Sequence, residues 1–280
     1  AEPTFSRQGG FYTEPFDLTL AYDDPEVTIY YTLDGSDPDP ANLNGKTYSY
    51  KNRYPQNAGD TTLGPFLYRQ MCTYEYSTPL TITDRSSKPY QLASINTEFS
   101  YSTRLPQSEL FKGTIVRARA FKDRAIPSRS VTHTYFVNPN VKSRYALPVI
   151  SIVTAEDNFF DYYKGIYVAG KVGDDWRLAN PTAGWNAGQP ANYHMRGYEW
   201  ERPAHFEMFD ADGTPLLSQN IGVRIHGGWS RAWYPKSLRL YARSEYDDET
   251  VFEFPFFEGL EKRGKPGEPL TTFQRLISEH

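Results

Sequence analysis

The sequence predicts a mainly β protein, a β-sandwich followed by a second β-rich unit, and three observations lead there. The first is composition: Tyr 22, Phe 17 and Trp 5 make 16% aromatic residues, beside 21 Pro and a mean hydropathy of -0.65. Aromatic and β-branched side chains fill pleated, half-buried surfaces, and a disordered chain would be poor in them. The second is patterning, because short runs alternate apolar and polar residues between clusters of turn formers. The third is that few segments repeat at the helical period.

Taken in order, Phe16, Leu18 and Leu20 alternate and set one face of a strand. Asp23, Asp24 and Pro25 make a turn, and a second strand over residues 27–32 stops at Leu33-Asp34-Gly35-Ser36-Asp37-Pro38. Each residue type in that stop meets a backbone need: Asp caps its own chain, Gly accepts positive φ and Pro presets φ. Residues 40–78 break into Asn, Gly, Tyr and Pro and read as a long loop or an extra hairpin. Strand patterning resumes over 80–83, 113–121 and 130–137. Residues 138–144 are polar, contain Pro139 and lack periodicity, which marks a linker.

Beyond it, 147–153 is an apolar strand, 156–161 a short helical turn and 165–168 another strand. Residues 170–200, rich in Gly, Asn, Trp and Pro, read as an irregular loop. An alternating strand over 204–209, a turn at Asp210-Ala211-Asp212-Gly213, and strands over 221–226 and 237–243 complete a second sheet, and 273–277 reads as a strand leading onward from it.

Length and charge bound the function. A chain of 280 residues has room for two domains. Its 34 acidic and 30 basic residues give a net charge of -4, which argues against a general nucleic-acid binder. Cys72 is the sole cysteine, so neither an intrachain disulfide nor a cysteine-based zinc site can form. The five histidines (His133, His194, His205, His226, His280) lack metal-ligand spacing. No apolar run reaches the roughly 20 residues that span a bilayer. Near-absence of cysteine fits a secreted or periplasmic bacterial protein and also a cytosolic one. Ala1-Glu2-Pro3 fits either a mature terminus left by signal cleavage or a simple boundary.

Four smaller constellations read as structural. Asp210 and Asp212 resemble the start of a calcium loop, but the remaining ligand series is missing, so a hairpin turn is expected. Asp157 and Asp161 are candidates for a glycosidase pair on composition alone, with nothing to place them opposite each other across a cleft. Glu245, Asp247, Asp248 and Glu249 decorate a solvent-facing turn, and His226 has a turn or packing role. No Gly-x-Ser-x-Gly elbow occurs.

Residues 5–137 resemble the immunoglobulin-like domain at the C-terminus of chitobiase and β-hexosaminidase enzymes. The residues that carry this are Gly9-Gly10-Phe11-Tyr12, the Tyr30-to-Pro38 run, Val116-Arg117-Ala118-Arg119-Ala120 and 128–136. The resemblance implies a non-catalytic module: a packed spacer with its aromatics in the core, or a surface or sugar binder with exposed Tyr and Trp.

From about Leu147 onward the chain resembles the N-terminal part of the CotH family, spore-coat-type proteins with a kinase-like fold. The carrying residues are 147–152, 165–168, Trp200-Glu201-Arg202-Pro203, the run from Gly222 to Arg231, and Pro235-Lys236-Ser237-Leu238-Arg239-Leu240. The expected organisation is therefore a sandwich over 1–138, a linker over 139–146 and a partial kinase-like lobe over 147–280.

The loop His226-Gly227-Gly228-Trp229-Ser230-Arg231 has two glycines that free backbone N–H groups to face an anion. It also reads as an ordinary hairpin turn. The resemblance makes Lys236 the nucleotide contact, with Gly227, Gly228, Ser230 and Arg231 supporting. It further implies ATP and Mg²⁺ as ligands of the complete protein, and places that family's catalytic acidic residues downstream of this stretch. The sequence as it stands is thus expected to be inactive, secreted or at the bacterial surface, with a nucleotide or a surface glycan as partner. The rival expectation is a non-catalytic carbohydrate-binding or adhesion protein.

Overall fold

The computed structural model describes residues 1–99 and 105–278, and the protein is mainly β. Its first five-stranded sheet runs in the order Gly10–Tyr12, Val131–Val137, Thr114–Phe121, Thr28–Thr32, Tyr74–Glu75. The first pair is parallel and the others antiparallel. Across from it lie two short pairs, Phe16–Leu18 with Leu80–Ile82 and Thr4–Phe5 with Leu20–Ala21. Phe16, Leu18 and Leu20 all point into the core between these layers, as their alternation predicts, and meet Ile29, Ile82, Val116, Ala118, Tyr135 and Val137. The turn at Asp34 forms as expected: its carboxylate accepts Ser36 N at 3.0 Å and Cys72 N at 2.8 Å. The 40–78 stretch contains an extra hairpin, Lys46–Tyr50 against Leu67–Met71.

The second sheet is antiparallel throughout, in the order Val149–Val153, Arg202–Phe209, Pro215–Ile225, Leu238–Tyr241, Arg275–Ser278. Its alternating strand Arg202–Phe209 is buried along 204–209 without a break, because both of its faces are covered. Ala204, Phe206 and Met208 enter the second core with Ile221, Val223, Ile225 and Leu240. Phe209, on the opposite face, packs with Phe11 and Val141, and its ring lies 6.1 Å from that of Phe136. On that side Thr134 Oγ1 sits 2.8 Å from Ser151 Oγ, and Glu207 Oε1 lies 3.4 Å from His133 Nδ1. The outer face of the sandwich is therefore the second layer's cover. Glycines permit the approach: a Cβ on Gly213 (φ 92°) would fall on Phe11, and one on Gly35 (φ 78°) on the Thr154 carbonyl.

The 139–146 connection follows this seam. Asn138 N donates to Tyr12 O at 3.1 Å, and Val141 is fully buried. The hairpin from the sandwich reaches further still. Tyr48 Oη donates to Glu156 at 3.0 Å and Arg69 binds the same carboxylate with two bonds of 2.8 and 3.0 Å. Lys51 Nζ meets Asp174 at 2.6 Å with both side chains almost wholly buried, and Tyr162 Oη adds a bond of 2.9 Å to that carboxylate. Tyr54 and Phe99 enter the second core itself.

Two expectations are corrected. Residues 165–168 form no strand: they fold back on the Glu156–Phe160 helix, with Ile166 N and Tyr167 N donating to Asn158 O and Phe159 O. Their apolar run reflects burial without a ladder. Residues 170–179 are not irregular but helical, Gly170–Ala179. The buried positions are Gly170, Gly173, Asp174 and Arg177, which follow the i, i+3, i+4, i+7 rule in polar residues and glycine rather than in apolar ones.

Candidate functional site

The Pro215–Ile225 and Leu238–Tyr241 strands are neighbours, and the chain between them closes on itself through His226 N donating to Ser237 O at 2.8 Å. All five residues singled out from sequence lie in this loop. Gly227 has φ 112°, open only to glycine at low cost, and a Cβ there would fall on Ser230 Oγ. Gly228 faces open space, and Gly228 and Ser230 are exposed. The loop then makes a 3₁₀ turn, Trp229–Ala232.

Arg231 and Lys236 lie beneath the turn rather than on it. The Arg231 guanidinium is turned inward and donates to four carbonyls: Nε to Gly227 at 2.7 Å, and Nη1 to Tyr193, His194 and Met195 at 3.3, 3.4 and 3.1 Å. Burial, followed by the neighbouring charges of Arg196 and Arg239, brings its pKa down to about 10. Lys236 is 1% exposed. Its ammonium donates to Arg231 O at 2.7 Å and Trp233 O at 3.3 Å, and stands 4.2 Å over the Tyr193 ring and 5.6 Å over that of Tyr167. Burial lowers its pKa to about 7, against the partial support of Glu98. Chemically, the loop holds a cation in a dry, aromatic-walled position under exposed glycine backbone.

Sequence reasoning missed the upstream contribution. Glu98, buried and far away in the chain, accepts Tyr234 N at 2.8 Å and so pins the loop's far end. It also missed how exposed the loop's aromatics are: Trp229 is 71%, Trp233 46% and Tyr234 51% exposed. Three aromatics within six residues of a polar segment were the available signal. His226 Nδ1 lies 2.8 Å from Arg239 Nη2, consistent with a packing role.

The remaining candidates are engaged elsewhere. Asp157 meets Lys164 at 2.5 Å and Lys46 at 3.7 Å, while Asp161 caps its own turn through Tyr163 N and Lys164 N. Asp210 and Asp212 bind backbone N–H groups of the hairpin turn. In the acidic cluster, Asp247 accepts Asn220 N, and Asp248 forms a bidentate pair with Arg129 of the sandwich at 2.7 Å. Among the described residues, no three His, Cys, Asp or Glu side chains are grouped to hold a metal ion, and no helix is long and apolar enough to cross a membrane. His280 lies outside the described residues.

A family model described as Fn3 associated matches residues 18–135. The match covers less than half of the chain and takes in most of the first sheet, though not its Gly10–Tyr12 strand or the facing Thr4–Phe5 strand, so it speaks for the sandwich. No curated protein and no solved structure matches the chain. The first part of this protein is thus similar to fibronectin-associated, immunoglobulin-like β modules.

Proposed function

We propose that the chain is a non-catalytic spacing and binding unit of a secreted or cell-surface protein, in which a chitobiase-type sandwich holds the second β-rich part in one fixed orientation. The observation that supports this is the Arg202–Phe209 strand, buried on both faces, one by its own core and the other by the sandwich. A freely hinged partner would leave His205, Glu207 and Phe209 in water. All five Trp lie between 176 and 233 and report on the second part, while Cys72 lies in the first. The test is urea unfolding followed by Trp fluorescence and by a dye on Cys72. Coincident transitions are expected; two separated transitions would sink the reading.

A second reading is favoured by Lys236. A lysine this dry, held only partly charged beneath a glycine loop, gains from a polyanion brought close to it. On this reading the second part is the nucleotide-side lobe of a CotH-like, kinase-like protein, inactive alone, with ATP and Mg²⁺ as ligands of the complete protein. Gly227, Gly228 and Ser230 face the phosphates, and Arg231 shapes the loop from inside. Calorimetric titration with ATP and Mg²⁺ tests it: heat in the wild type and none in Lys236→Met is expected, and no heat in either removes its basis.

A further inference from the structure

We propose that the cavity at the seam of the sandwich and the second part binds a small free amphiphile, one carboxylate head on a hydrocarbon body of about eight to ten carbons. The site shares no lining residue with the 226–236 loop and goes beyond the spacing role. The cavity has a volume of about 390 Å³, within the ~300–1,000 Å³ of small-molecule sites, and such sites concentrate where packed units meet. Ile115 enters it from the first sheet, and Ile152, Phe159 and Phe160 from the second part. That wall is set before a ligand arrives: Phe159 stacks on Tyr167 with centroids 5.4 Å apart, and Phe160 meets both rings edge to face. Leu33, Leu92 and Leu110, from three separate segments, converge on the same cavity and are 44%, 38% and 37% exposed. Single exposed leucines are ordinary, but three around one hollow keep a continuous apolar lining wet. An alkyl chain covers it.

The charge around the cavity selects the head group. Arg85 Nη1 donates to Gly113 O at 3.2 Å, and Lys112 Nζ donates to Ser86 O at 2.8 Å and Leu110 O at 2.9 Å. These crossed bonds set the two cations side by side on the lining. Both hold carbonyls only, and among the described residues neither meets a carboxylate. An ammonium carries three N–H donors and a guanidinium five, so each has a donor left for a ligand. Two acidic residues also line the cavity. Arg69 neutralises Glu156 through its two bonds, while Asp34 accepts the amides of Ser36 and Cys72. Asp34 set against Arg85 and Lys112 leaves one net positive charge, which a single carboxylate balances and a phosphate dianion exceeds. An alcohol head would leave the two cations uncompensated, and an alkylammonium would be repelled by them.

The experiment is calorimetric titration of the whole chain at about pH 8 with hexanoate, octanoate, octan-1-ol and octyl phosphate, a pH at which the phosphate is a dianion. Octanoate should bind about tenfold more tightly than hexanoate, the effect of two further buried methylenes. It should also bind about tenfold more tightly than octan-1-ol, the effect of a charge-assisted hydrogen bond. Lys112→Met and Arg85→Met keep apolar stems in place; each should weaken octanoate by about tenfold and leave octan-1-ol unchanged. Leu92→Trp fills part of the cavity and should lose both ligands, with thermal unfolding confirming that the variants are folded. Absence of heat with octanoate overturns the proposal, and so does octan-1-ol or octyl phosphate binding as tightly as octanoate to the unaltered chain. Octanoate binding that persists undiminished in folded Leu92→Trp overturns it too, because the ligand then sits elsewhere.

Discussion

Replacing Lys51 by Ala tests the clasp between the sandwich hairpin and the second part. Lys51 Nζ lies 2.6 Å from Asp174 Oδ2, and the two side chains are 2% and 1% exposed. Asp174 Oδ1 has no partner, so without Lys51 the carboxylate keeps only the Tyr162 hydroxyl. Breaking a buried pair by removing one member costs about 3–5 kcal/mol, because the other charge stays desolvated. With a urea slope of roughly 3 kcal/mol/M, the midpoint should fall by about 1–2 M. The assay is equilibrium unfolding followed by Trp fluorescence, to which Trp176 on the same helix contributes. The double variant Lys51→Met/Asp174→Leu should recover most of the loss, since apolar groups of similar volume fill the space without a charge. A single variant within about 0.5 kcal/mol of wild type, in the range of ordinary surface changes, or a double variant as unstable as the two singles summed, would refute the reasoning.

Three further outcomes follow from the packing. The Lys236 pKa is lowered to about 7 from the ordinary 10.5, so between those values the unfolded chain binds the extra proton. Stability therefore rises with pH from about 7 upward, by at most about 1.4 kcal/mol per pH unit; Lys236→Met should abolish that rise when unfolding is measured at pH 7 and 9. Burial lowers the His205 pKa below the ordinary 6.5, so protonation favours the unfolded chain and stability falls as pH drops through that value. His205→Gln should flatten the acid limb of the unfolding curve relative to wild type. Gly213→Ala meets both the left-handed φ and Phe11, and should cost about 2–3 kcal/mol. Gly264→Ala, at φ 76° in open space, should cost about 1 kcal/mol, and thermal unfolding of the two measures the difference.

The sandwich was legible because its strands are covered on one side first: Phe16, Leu18 and Leu20 alternate with polar residues, and Asp34, Gly35 and Ser36 form the turn their chemistry requires. The Arg202–Phe209 strand reads as alternating too, yet His205 and Glu207 are buried because a second layer lies over them. Alternation reports polarity, and polarity does not say whether a partner covers it. The Gly170–Ala179 helix escaped notice because its inward positions are glycine, Asp174 and Arg177, so no apolar period exists to be seen. Of the candidate site, Lys236 was singled out through the resemblance and expected at the opening of a strand, whereas the turn over Gly227, Gly228, Ser230 and Arg231 was readable from its two glycines after a strand. The inward turn of Arg231 and the burial of Lys236 were not, since Tyr193 and Glu98, which build that environment, are distant in the chain.

The reach of Tyr54 and Phe99 into the second core also sets an order of events during synthesis. The pocket that receives them is built from residues 166–252, which leave the ribosome much later. Until then an aromatic-rich stretch has no complement, and contacts so widely separated in sequence form slowly. Until the second core forms, that stretch exposes apolar surface of the kind that makes folding intermediates prone to aggregate. Residues made later in synthesis thus complete the packing of aromatic residues made well before them.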